Sequence, residues 1–434
     1  MNRHLLKVGI AAALTCGISH SAVAATRCVK PGGGSGCFAT IGAAVAASAP
    51  GDTIRVAEGT YAEDVIIDRT LSLIGAGLEE TIINATGKAN GINIDGLDHP
   101  GMVDHVVVRD FTVENANNEG ILISNASDVT ISGNRVRGNN RGLDDGVCPT
   151  VAPPDSHAGE DFDCGEGIHL SGVDHSTITS NLVEHNAGGI LLTDDSGPTH
   201  DNLIGGNIVR DNPFDCGITL ASHVPEQFAP HGNGVFHNTV ADNESSRNGR
   251  AVGGAGAGVG LFTPAPGTAT YGNVVMHNRL TDNGLPGVAM HSHAPNQNLN
   301  DNAIVGNYIA GNGADTDDTA TPGPTGINIS SGRDGSGNVV GSAIMGTLVS
   351  HNVIEHEAVD IAVSNRAGVS VNAHLNDLHG HQGIGVANLG AGTVDAIENW
   401  WGCPGGPGAG DCSGVSGAVL FTPWLTHPVH DGHR

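Results

Sequence analysis

A group of aspartate and histidine residues near the middle of the chain has the composition of an acid–base site. The group consists of Asp194, Asp195, Asp215, His223, His291 and His293. An aspartate close to a histidine favours the imidazolium and raises its pKa, which prepares the ring for proton transfer near neutral pH. Two carboxylates on neighbouring strands would instead divide the acid and base roles of glycoside hydrolysis. A solvated acidic face with incidental histidines is the third interpretation, since the chain contains 23 histidines.

Two kinds of metal site are compatible with these residue types. His291 and His293, together with Asp195 and His223, offer nitrogen and oxygen donors for zinc. The segment 139–166 is dense in acids, and carboxylates with backbone carbonyls on a loop suit the oxygen-rich coordination of calcium. The calcium ligands predicted in this segment are Asp144, Asp145, Asp161 and Asp163. We expect calcium rather than zinc, and the alternative for the segment is surface charge that keeps the protein soluble.

A two-part repeat places the candidate residues on short strands. Its first part is N-x-[VIL]-x-x-N, as in Asn181-Leu-Val-Glu-His-Asn186, and its second part is G-[IV]-x-[LIMV], which starts at Gly167, Gly189 and Gly217 among others. Both parts alternate with the period of a strand and lack the 3.6-residue period of a helix. One coil per 22–29 residues predicts a parallel β-solenoid of about ten coils. The recurring asparagines suit turns, where we expect them to stack into internal ladders.

Alignment of the second part of the repeat assigns each side chain to a face of the sheet. If the first apolar residue of each strand points inward, the next residue points outward. The first outward column is His169, Leu191, Thr219, Gly260, Ala289 and Asn328. The second is Ser171, Thr193, Ala221, Phe262, His291 and Ser330. The column after it contains Asp195, His223 and His293, so Asp195 and His223 should lie one rung apart, roughly 5 Å.

Three further residues are predicted to contact a substrate on this outward face. His169 lies in the first outward column, and Glu166 precedes it on the same strand. Phe262 is the one aromatic side chain there that offers a stacking surface for a sugar. The three tryptophans, Trp400, Trp401 and Trp424, fall in the last coil, where packing explains them.

The repeat resembles that of the right-handed parallel β-helix proteins of the pectate-lyase-like superfamily, with repeats of the type found in copper-enzyme maturation factors and polysaccharide epimerases. The start of the chain around Thr40-Ile41 and Gly59-Thr60-Tyr61 resembles their capping helix and first coil, and Asn399-Trp400-Trp401-Gly402 resembles their last coil. The resemblance implies an all-β chain folded as one right-handed parallel β-helix with an N-terminal capping helix and a C-terminal cap. Because the superfamily includes lyases, hydrolases, epimerases, esterases and adhesins, it leaves the activity open.

The chain departs from the calcium-dependent uronate lyases of this superfamily in its basic residues. Those enzymes use an arginine or lysine base, whereas no arginine of the central coils falls in an aligned outward column. The order Thr193-Asp194-Asp195, Asp215-Cys216-Gly217 and Ser222-His223 resembles the polygalacturonase-type hydrolases, but it lacks their basic substrate-binding motif and follows a different sequence order.

The composition excludes two classes of partner. The 18 Lys and Arg residues against 45 Asp and Glu give a formal charge of −27, which opposes binding to nucleic acid or to an anionic membrane. Residues 1–24 combine a basic start, an apolar run at 8–18 and Ala22-Val23-Ala24, which predicts a cleaved secretory signal. We therefore expect a secreted or periplasmic protein. The domain is predicted at 25–434, with a cap and first coils at 25–90, repeat coils at 91–390, a C-terminal cap at 391–434, and loops at 139–166, 221–257 and 293–325.

The cysteines fit export to an oxidising compartment. Three pairs are close in sequence and are predicted to form disulfides: Cys28 with Cys37, Cys148 with Cys164, and Cys403 with Cys412. Cys216 is left over and is predicted to be a buried thiol between strands.

Together these features predict an enzyme, a lyase or a glycoside hydrolase, that cleaves or remodels a polysaccharide on the outer face of a β-helix. In this interpretation His223, with His291 or His293, handles protons, and Asp194, Asp195 and Asp215 serve as partner, acid or metal ligand. One alternative is a non-catalytic surface protein that binds glycans. Another is a periplasmic maturation factor, which copper binding by His291 and His293 would support.

Overall fold

The computed structural model of the chain describes residues 24–140, 166–230, 232–251, 255–316, 321–331, 340–379 and 383–430. Within these ranges almost all regular structure is β-strand, accompanied by one short α-helix, Ile41–Ala46, and one 3₁₀ turn, Glu226–Phe228. No helix among the described residues combines the length and the apolar character needed to cross a bilayer.

The strands stack into parallel sheets that run the length of the molecule, with one strand of each long sheet per coil. Sheet 1 consists, in stacking order, of Val65–Ile67, Ile92–Asp95, Ile121–Ser124, Glu166–Ser171, Gly188–Thr193, Ile218–Ala221, Val259–Thr263, Val288–Ser292, Thr325–Ser331, Val359–Val363, Ile384–Asn388 and Gly414–Ser416. Sheet 2 consists of Thr26–Val29, Asp52–Val56, Leu71–Ile74, Val107–Arg109, Thr130–Ser132, Thr177–Thr179, Leu203–Gly205, Thr239–Ala241, Val274–Met276, Ala303–Val305, Ile344–Ser350, Val369–His374, Val394–Asp395 and Val419–Leu420.

Sheet 3 consists of Gly59–Tyr61, Thr81–Asn84, Thr112–Glu114, Arg135–Arg137, Leu182–Glu184, Ile208–Arg210, Glu244–Ser246, Arg279–Thr281, Tyr308–Ala310, Val353–Glu355 and Asp377–His379. Sheet 4 is a short addition made of Thr199–His200, Val235–Phe236 and Thr270–Tyr271. After Thr26–Val29 and Asp52–Val56, which are neighbours in sheet 2, successive strands in the chain belong to different sheets. Hydrogen-bonded strands within each of these sheets are parallel. The chain is therefore a parallel β-helix, as the repeat predicts.

The register of sheet 1 follows the alignment of the repeat. Ile168 pairs with Ile190, and Ile190 with Ile218, and all three side chains lie fully buried in the apolar core between the sheets. The same register stacks Phe262 beside His291 on the opposite face. The inward residues form one continuous core from Val29 to Cys412.

Most strands of sheet 1 begin beside a glycine, and close packing between coils requires it. A Cβ atom on Gly120 would lie 2.6 Å from the carbonyl oxygen of Gly167, and one on Gly258 would lie 2.6 Å from that of Gly287. Real Cβ atoms do not approach this closely, so any side chain would push the coils apart. A Cβ atom on Gly120 would also meet the core side chain of Val136, so this glycine faces the core like the isoleucine after it. The inward–outward alternation is interrupted there, and the residue before the glycine faces away from the core.

Asparagine side chains form three ladders inside the turns. Asn181 shows the repeating unit: its Nδ2 donates to Asn207 Oδ1 on the next coil and to the carbonyl oxygen of Ile131, at 3.0 Å each. The first ladder is Asn134, Asn181, Asn207, Asn243, Asn278, Asn307, Asn352, Asn376 and Asn399. The second is Asn139, Asn186, Asn212, Asn248, Asn283 and Asn312, and it ends on Glu357. The third is Asn202, Asn238, Asn273 and Asn302.

The ends of the molecule carry two of the predicted disulfides, Cys28–Cys37 and Cys403–Cys412. Cys216 is buried, as predicted, and its Sγ accepts a hydrogen bond from the backbone N–H of Ala257. Helix Ile41–Ala46 contacts strands Thr26–Val29 and Val65–Ile67 and places Ile41 in the core.

Several predicted features lie outside the described residues. They are most of the secretory signal, the Cys148–Cys164 disulfide and the four calcium ligands Asp144, Asp145, Asp161 and Asp163. The predicted loops 221–257 and 293–325 are loops only in part, because each also contains strands of sheets 2 and 3, such as Thr239–Ala241 and Tyr308–Ala310. Their N-x-[VIL]-x-x-N elements form ordinary rungs, so the true excursions from the coil are shorter.

Candidate functional site

Asp195 and His223 form a hydrogen-bonded acid–histidine pair where two neighbouring strands of sheet 1 end. The strand Gly188–Thr193 leads into Asp195 and the strand Ile218–Ala221 leads into His223, so the turns after both strands bring the side chains together. Nδ1 of His223 lies 3.2 Å from Oδ1 of Asp195. Burial opposes ionisation of Asp195, but the charge and hydrogen bond of His223 outweigh it and lower the pKa of Asp195 to about 2. The carboxylate is therefore ionised at neutral pH.

Asp194 occupies a different environment from its neighbour. Its Oδ1 accepts hydrogen bonds from the backbone N–H groups of His223 and Val224, and its Oδ2 accepts from Ser222 Oγ and the N–H of Gly234. The side chain is 1% exposed. Burial raises the pKa of Asp194, and the hydrogen bonds of Ser222 and Val224 act in the opposite direction. Asp194 thus holds the turn that carries His223.

His169 connects this pair to a second cluster of acids. Its Nε2 lies 2.9 Å from Thr193 Oγ1, and its Nδ1 lies 3.3 Å from Glu119 Oε1. The hydroxyl of Thr193 in turn hydrogen-bonds to Asp195 and helps to lower its pKa. A continuous path of polar contacts therefore runs from Glu119 through His169 and Thr193 to Asp195 and His223.

Glu119, Glu166 and His169 bring three possible metal-ligand atoms within 4.8 Å of one another. All three side chains are buried. Glu119 precedes Gly120, which stands just before strand Ile121–Ser124, and Glu166 precedes Gly167. The interrupted alternation at these glycines leaves both carboxylates on the same face as His169.

Asp215 lies on the other side of Gly188 from Glu166. A Cβ atom on Gly188 would stand 3.0 Å from Glu166 Oε1 and 3.4 Å from Asp215 Oδ2. The glycine thus leaves room for both carboxylates to approach the same point. Asp215 Oδ1 also accepts a hydrogen bond from the backbone N–H of Cys216.

His291 forms a second, deeply buried acid–histidine pair, and its partner is Asp315. Nε2 of His291 lies 2.6 Å from Asp315 Oδ2, which also accepts a 2.6 Å hydrogen bond from Asn328 Nδ2. His293 stands beside His291 with ring centres 5.6 Å apart, and its Nδ1 lies 3.2 Å from the carbonyl oxygen of Thr263. The predicted zinc set is therefore divided, because His223 pairs with Asp195 and His291 pairs with Asp315.

Phe262 belongs to a small apolar cluster on the outer face rather than to an open platform. It is 8% exposed and packs with Cys216, Ala221 and Ala289. Its ring centre lies 5.1 Å from that of His291. The outward columns are buried in general, and Asp195, with 23% of its side chain exposed, is the part of the Asp195–His223 pair that reaches the surface.

Three features of the face were not predicted from the sequence. Glu119 was missed because the sequence analysis did not recognise that the inward–outward alternation is interrupted at each of these glycines. The position of Glu119 directly before Gly120 is the signal that could have identified it. Asp315 falls in the predicted loop 293–325 and was not recognised as a partner of His291. The third feature is an aromatic stack on sheet 4, in which the rings of His200, Phe236 and Tyr271 are nearly parallel with centres 4.8 and 5.0 Å apart. Its only sequence signal was that the three residues occupy equivalent positions on successive coils.

Comparisons with known proteins agree with this architecture. Residues 76–245 match the family model described as right handed beta helix region, and residues 161–343 match that of the periplasmic copper-binding protein NosD. No curated protein sequence matches the chain. The chain is a right-handed parallel β-helix protein.

Solved structures with the same fold include polysaccharide-active proteins. The A-module of the mannuronan C-5 epimerase AlgE4 from Azotobacter vinelandii is 15% identical with a TM-score of 0.52, over 89% of this chain and 94% of that module. The catalytic domain of a GH87 alpha-1,3-glucanase in complex with nigerose is 13% identical with a TM-score of 0.54, over 90% and 66% of the two chains. The Dettilon tailspike protein is 12% identical with a TM-score of 0.53, over 85% and 62%. At these identities the similarity shows the fold alone.

The second matched family model is named for copper binding, so the possible metal ligands on the outer face of sheet 1 can be compared with those that copper requires. Copper(I) is bound by thiolate, thioether and imidazole ligands. The cluster of Glu119, Glu166 and His169 supplies two carboxylates and one imidazole, and Cys216 lies in the apolar cluster around Phe262. Within the described part of the chain these donors do not fit copper(I), so no copper chemistry enters the proposed mechanism.

Proposed function

We propose that the chain is an exported enzyme that acts on a polysaccharide by abstracting a proton from a sugar ring, with His223 as the base and Asp195 as its partner. The observation that carries the proposal is the 3.2 Å contact between Nδ1 of His223 and an aspartate whose pKa is about 2. A permanently ionised carboxylate on Nδ1 keeps that nitrogen protonated, which leaves Nε2 to exchange a proton with the substrate.

Asp194 acts in this mechanism as a positioning residue. Four hydrogen bonds from the turn at 222–224 and from Gly234 occupy both of its oxygens, so it orients His223 without touching the substrate. Proximity and orientation of this kind account for a large part of the rate enhancement of enzymes.

Proton abstraction from the carbon next to a uronate carboxylate leads to β-elimination or to epimerisation. The arrangement of one ionised carboxylate behind one imidazole suits this chemistry better than hydrolysis, which uses two carboxyl groups on either side of the bond. The epimerase module with the same fold supports a uronate polymer as the substrate class. The substrate would lie along the outer face of sheet 1, across the strands.

Glycoside hydrolysis is the second candidate, and the two neighbouring aspartates favour it. The pKa of Asp194 is raised by burial and that of Asp195 is lowered to about 2, and such a separation marks an acid and a base in many active sites. The α-1,3-glucanase with the same fold supports this class. In that case Asp194 would have to release its hydrogen bonds to reach the substrate.

The test is to incubate the protein in D₂O with alginates, pectates and neutral glucans, separately, and to follow three products. Proton abstraction predicts one of two products: an inverted C5 centre that carries deuterium taken from the solvent, or an ultraviolet-absorbing unsaturated sugar whose C5 keeps no hydrogen. New reducing ends with neither ultraviolet absorbance nor deuterium at C5 would favour hydrolysis and overturn the proposal. A protein that binds these polymers and changes none of them would support the non-catalytic alternative.

His223→Gln tests the assigned base directly. We expect it to lower turnover by a factor of about 10²–10⁴, the usual contribution of a general base. The matched control is His105→Gln, which alters an exposed histidine away from this face and should leave turnover unchanged. Full activity of His223→Gln would contradict the assignment.

A further inference from the structure

We propose that Glu119, Glu166 and His169 bind one divalent transition-metal ion of the Zn²⁺ type on the outer face of sheet 1. The three side chains come from adjacent rungs, since strand Ile121–Ser124 pairs with strand Glu166–Ser171. Their ligand atoms already lie within 4.8 Å of one another, and no other group of three such residues was found within the described ranges. None of these three residues belongs to the predicted calcium set, and none is His291 or His293.

The donor types select the class of ion. Two carboxylates neutralise a divalent charge, and an imidazole nitrogen is a good ligand for zinc and its neighbours in the first transition series. Calcium prefers six to eight oxygen ligands and is less well served by one imidazole. Copper(I) would require sulfur or more imidazole than the cluster provides.

The hydrogen bonds of His169 orient its ring as metal-bound histidines are oriented. Its Nδ1 faces the carboxylate of Glu119, at 3.3 Å, and this nitrogen is therefore assigned as the ligand. Its Nε2 lies 2.9 Å from Thr193 Oγ1. With Nδ1 as the ligand, the proton of the neutral ring lies on Nε2, which then donates to Thr193 Oγ1. A second nitrogen fixed in this way sets the tautomer and raises the basicity of the ligating nitrogen.

Burial of the acids gives the cation an energetic role. Glu119 is 5% exposed and Glu166 is 1% exposed. Two carboxylates held this close in a buried position repel one another, and a divalent ion between them offsets both their repulsion and their lost hydration. The backbone N–H of Glu119 donates to Asn90 Oδ1 at 3.2 Å, which fixes the backbone that carries this ligand.

The ion would be coupled to the Asp195–His223 pair through Thr193. When His169 ligates a metal, it is neutral and donates only through Nε2, so the path from the metal to Asp195 contains one imidazole and one hydroxyl. The site thus explains why a threonine whose side chain is fully buried stands between two acid–histidine pairs.

The binding experiment needs no substrate and so is independent of the proposed enzymatic function. The folded protein is stripped with a chelator, dialysed, and titrated calorimetrically with Zn²⁺, and in parallel with Mn²⁺, Ca²⁺ and Cu²⁺, while bound metal is counted by mass spectrometry. We expect one Zn²⁺ per chain, a rise in melting temperature on binding, and weaker binding at acidic pH, because protons compete with the metal for its imidazole and carboxylate ligands.

Variants locate the ion. Glu166→Gln and His169→Gln should each weaken Zn²⁺ binding at least about tenfold, because each removes one of three protein ligands while nearly keeping the side-chain volume. The matched control is His200→Gln, since His200 lies near two aspartates on sheet 4, at 2.8 Å from Asp201 and 4.0 Å from Asp174, and is the natural place for adventitious metal. It should leave the stoichiometry and affinity unchanged.

Three results would overturn the proposal. They are the absence of saturable one-site binding, equal binding by wild type and Glu166→Gln, and loss of the ion in His200→Gln. Far-ultraviolet circular dichroism and the metal-free melting temperature of each variant distinguish a lost ligand from a lost fold. A protein that binds Zn²⁺ as described but modifies no polysaccharide would retain the metal site and reject the enzymatic proposal.

Discussion

Asp194 and Asp195 are neighbours in sequence, yet the end of the strand gives them opposite roles. Asp194 turns toward the backbone of the next turn and saturates its oxygens with four donors. Asp195 turns toward His223 and keeps part of its side chain at the surface. A sequence pattern that alternates inward and outward cannot separate them, because the strand has already ended at Thr193.

Substitution of Asp194 by Asn should destabilise the fold and reduce activity together. The NH₂ group of asparagine is a donor, and it would face donors that now bind an oxygen of Asp194, either in the 222–224 turn or at the N–H of Gly234. Each buried group left without its partner costs about 1–3 kcal/mol. We expect a lower melting temperature for Asp194→Asn and a nearly unchanged one for His223→Gln. An Asp194→Asn variant with wild-type stability and no turnover would instead make Asp194 a catalytic acid.

Asp195 predicts a specific dependence of stability on pH. Folding lowers its pKa from 3.8 to about 2, so the ionised side chain stabilises the folded state above pH 3.8 and loses this contribution as the pH falls through about 2. The contribution amounts to about 2 kcal/mol. Denaturant unfolding at pH 5 and pH 2 gives the free energy of unfolding at each pH, and the decrease between them should be smaller for Asp195→Asn than for the wild type. An equal decrease in both proteins would contradict the pairing of Asp195 with His223.

The sequence predicts which side chains lie close together where the strand register places them. It does not predict this where the path of a turn or loop places them. The rung relation of Asp195 to His223 follows from aligning Ile190 with Ile218. The pairing of His291 with Asp315 does not, because Asp315 enters from an excursion whose path the repeat does not describe. The roles of these residues in catalysis stay predictions.

At the scale of the elements, two devices hold the coils in register: glycines at the start of sheet 1 strands and asparagine ladders in the turns. Both are visible in the sequence as repeats. Their physical purposes differ, since the glycine avoids a collision between coils while the asparagine satisfies buried backbone groups. The third ladder was not distinguished from the first, because its members repeat the five-residue spacing of the motif. Each of them lies five residues before an asparagine of the first ladder: Asn202, Asn238, Asn273 and Asn302.

Gly258→Ala should disrupt the packing of neighbouring coils. The new methyl group would lie 2.6 Å from the carbonyl oxygen of Gly287 and 3.1 Å from Leu280 Cβ, and overpacking of this kind costs about 1–3 kcal/mol. Gly205→Ala is the control, because its nearest neighbour would be Leu203 at an ordinary 3.4 Å. Thermal unfolding should show a loss for the first variant only.

Glu357 ends the second ladder and makes that turn sensitive to pH. Its Oε1 accepts from the N–H and Nδ2 of Asn312, but its burial raises the pKa from 4.5 to about 7. A raised carboxyl pKa means that the folded state holds its proton longer than the unfolded state, so stability falls as the pH rises from about 4.5 to about 7.

Glu357→Gln should remove this loss, because the amide keeps the accepting oxygen and cannot ionise. We expect the variant to be more stable than wild type at pH 8 by up to about 3 kcal/mol, and the difference to vanish below pH 4.5. A variant that is equally stable or less stable at pH 8 would contradict the assignment of a buried, ionising Glu357.

At the scale of the whole molecule, a stack of open parallel sheets has an exposed edge at each end unless something covers it. Such edges are templates for association with other chains. The sequence signals of the caps were recognisable, from Thr40 at the start of the helix to the aromatic residues of the last coil. Thr40 accepts a hydrogen bond from the N–H of Ala43 and thereby caps the helix.

Trp401 is the residue on which the C-terminal end depends most. It is fully buried in the last coils, and its ring lies so close to Gly385 that a Cβ there would stand 2.9 Å from it. Trp401→Ala should cost about 3–5 kcal/mol and loosen the chain that follows the last full coil. The edges of sheets 1 and 2 would then become available to a second copy, so we expect concentration-dependent association in light scattering at temperatures below the melting transition.

Trp424→Ala provides the comparison, since Trp424 is 36% exposed and hydrogen-bonds to the carbonyl oxygen of Pro404 at the surface. It should unfold near the wild-type temperature and stay in the same oligomeric state as the wild type. If both variants associate equally, the tryptophans act through surface chemistry. If only Trp401→Ala associates, the buried ring is what keeps a solenoid with two open sheet edges from extending into a second molecule.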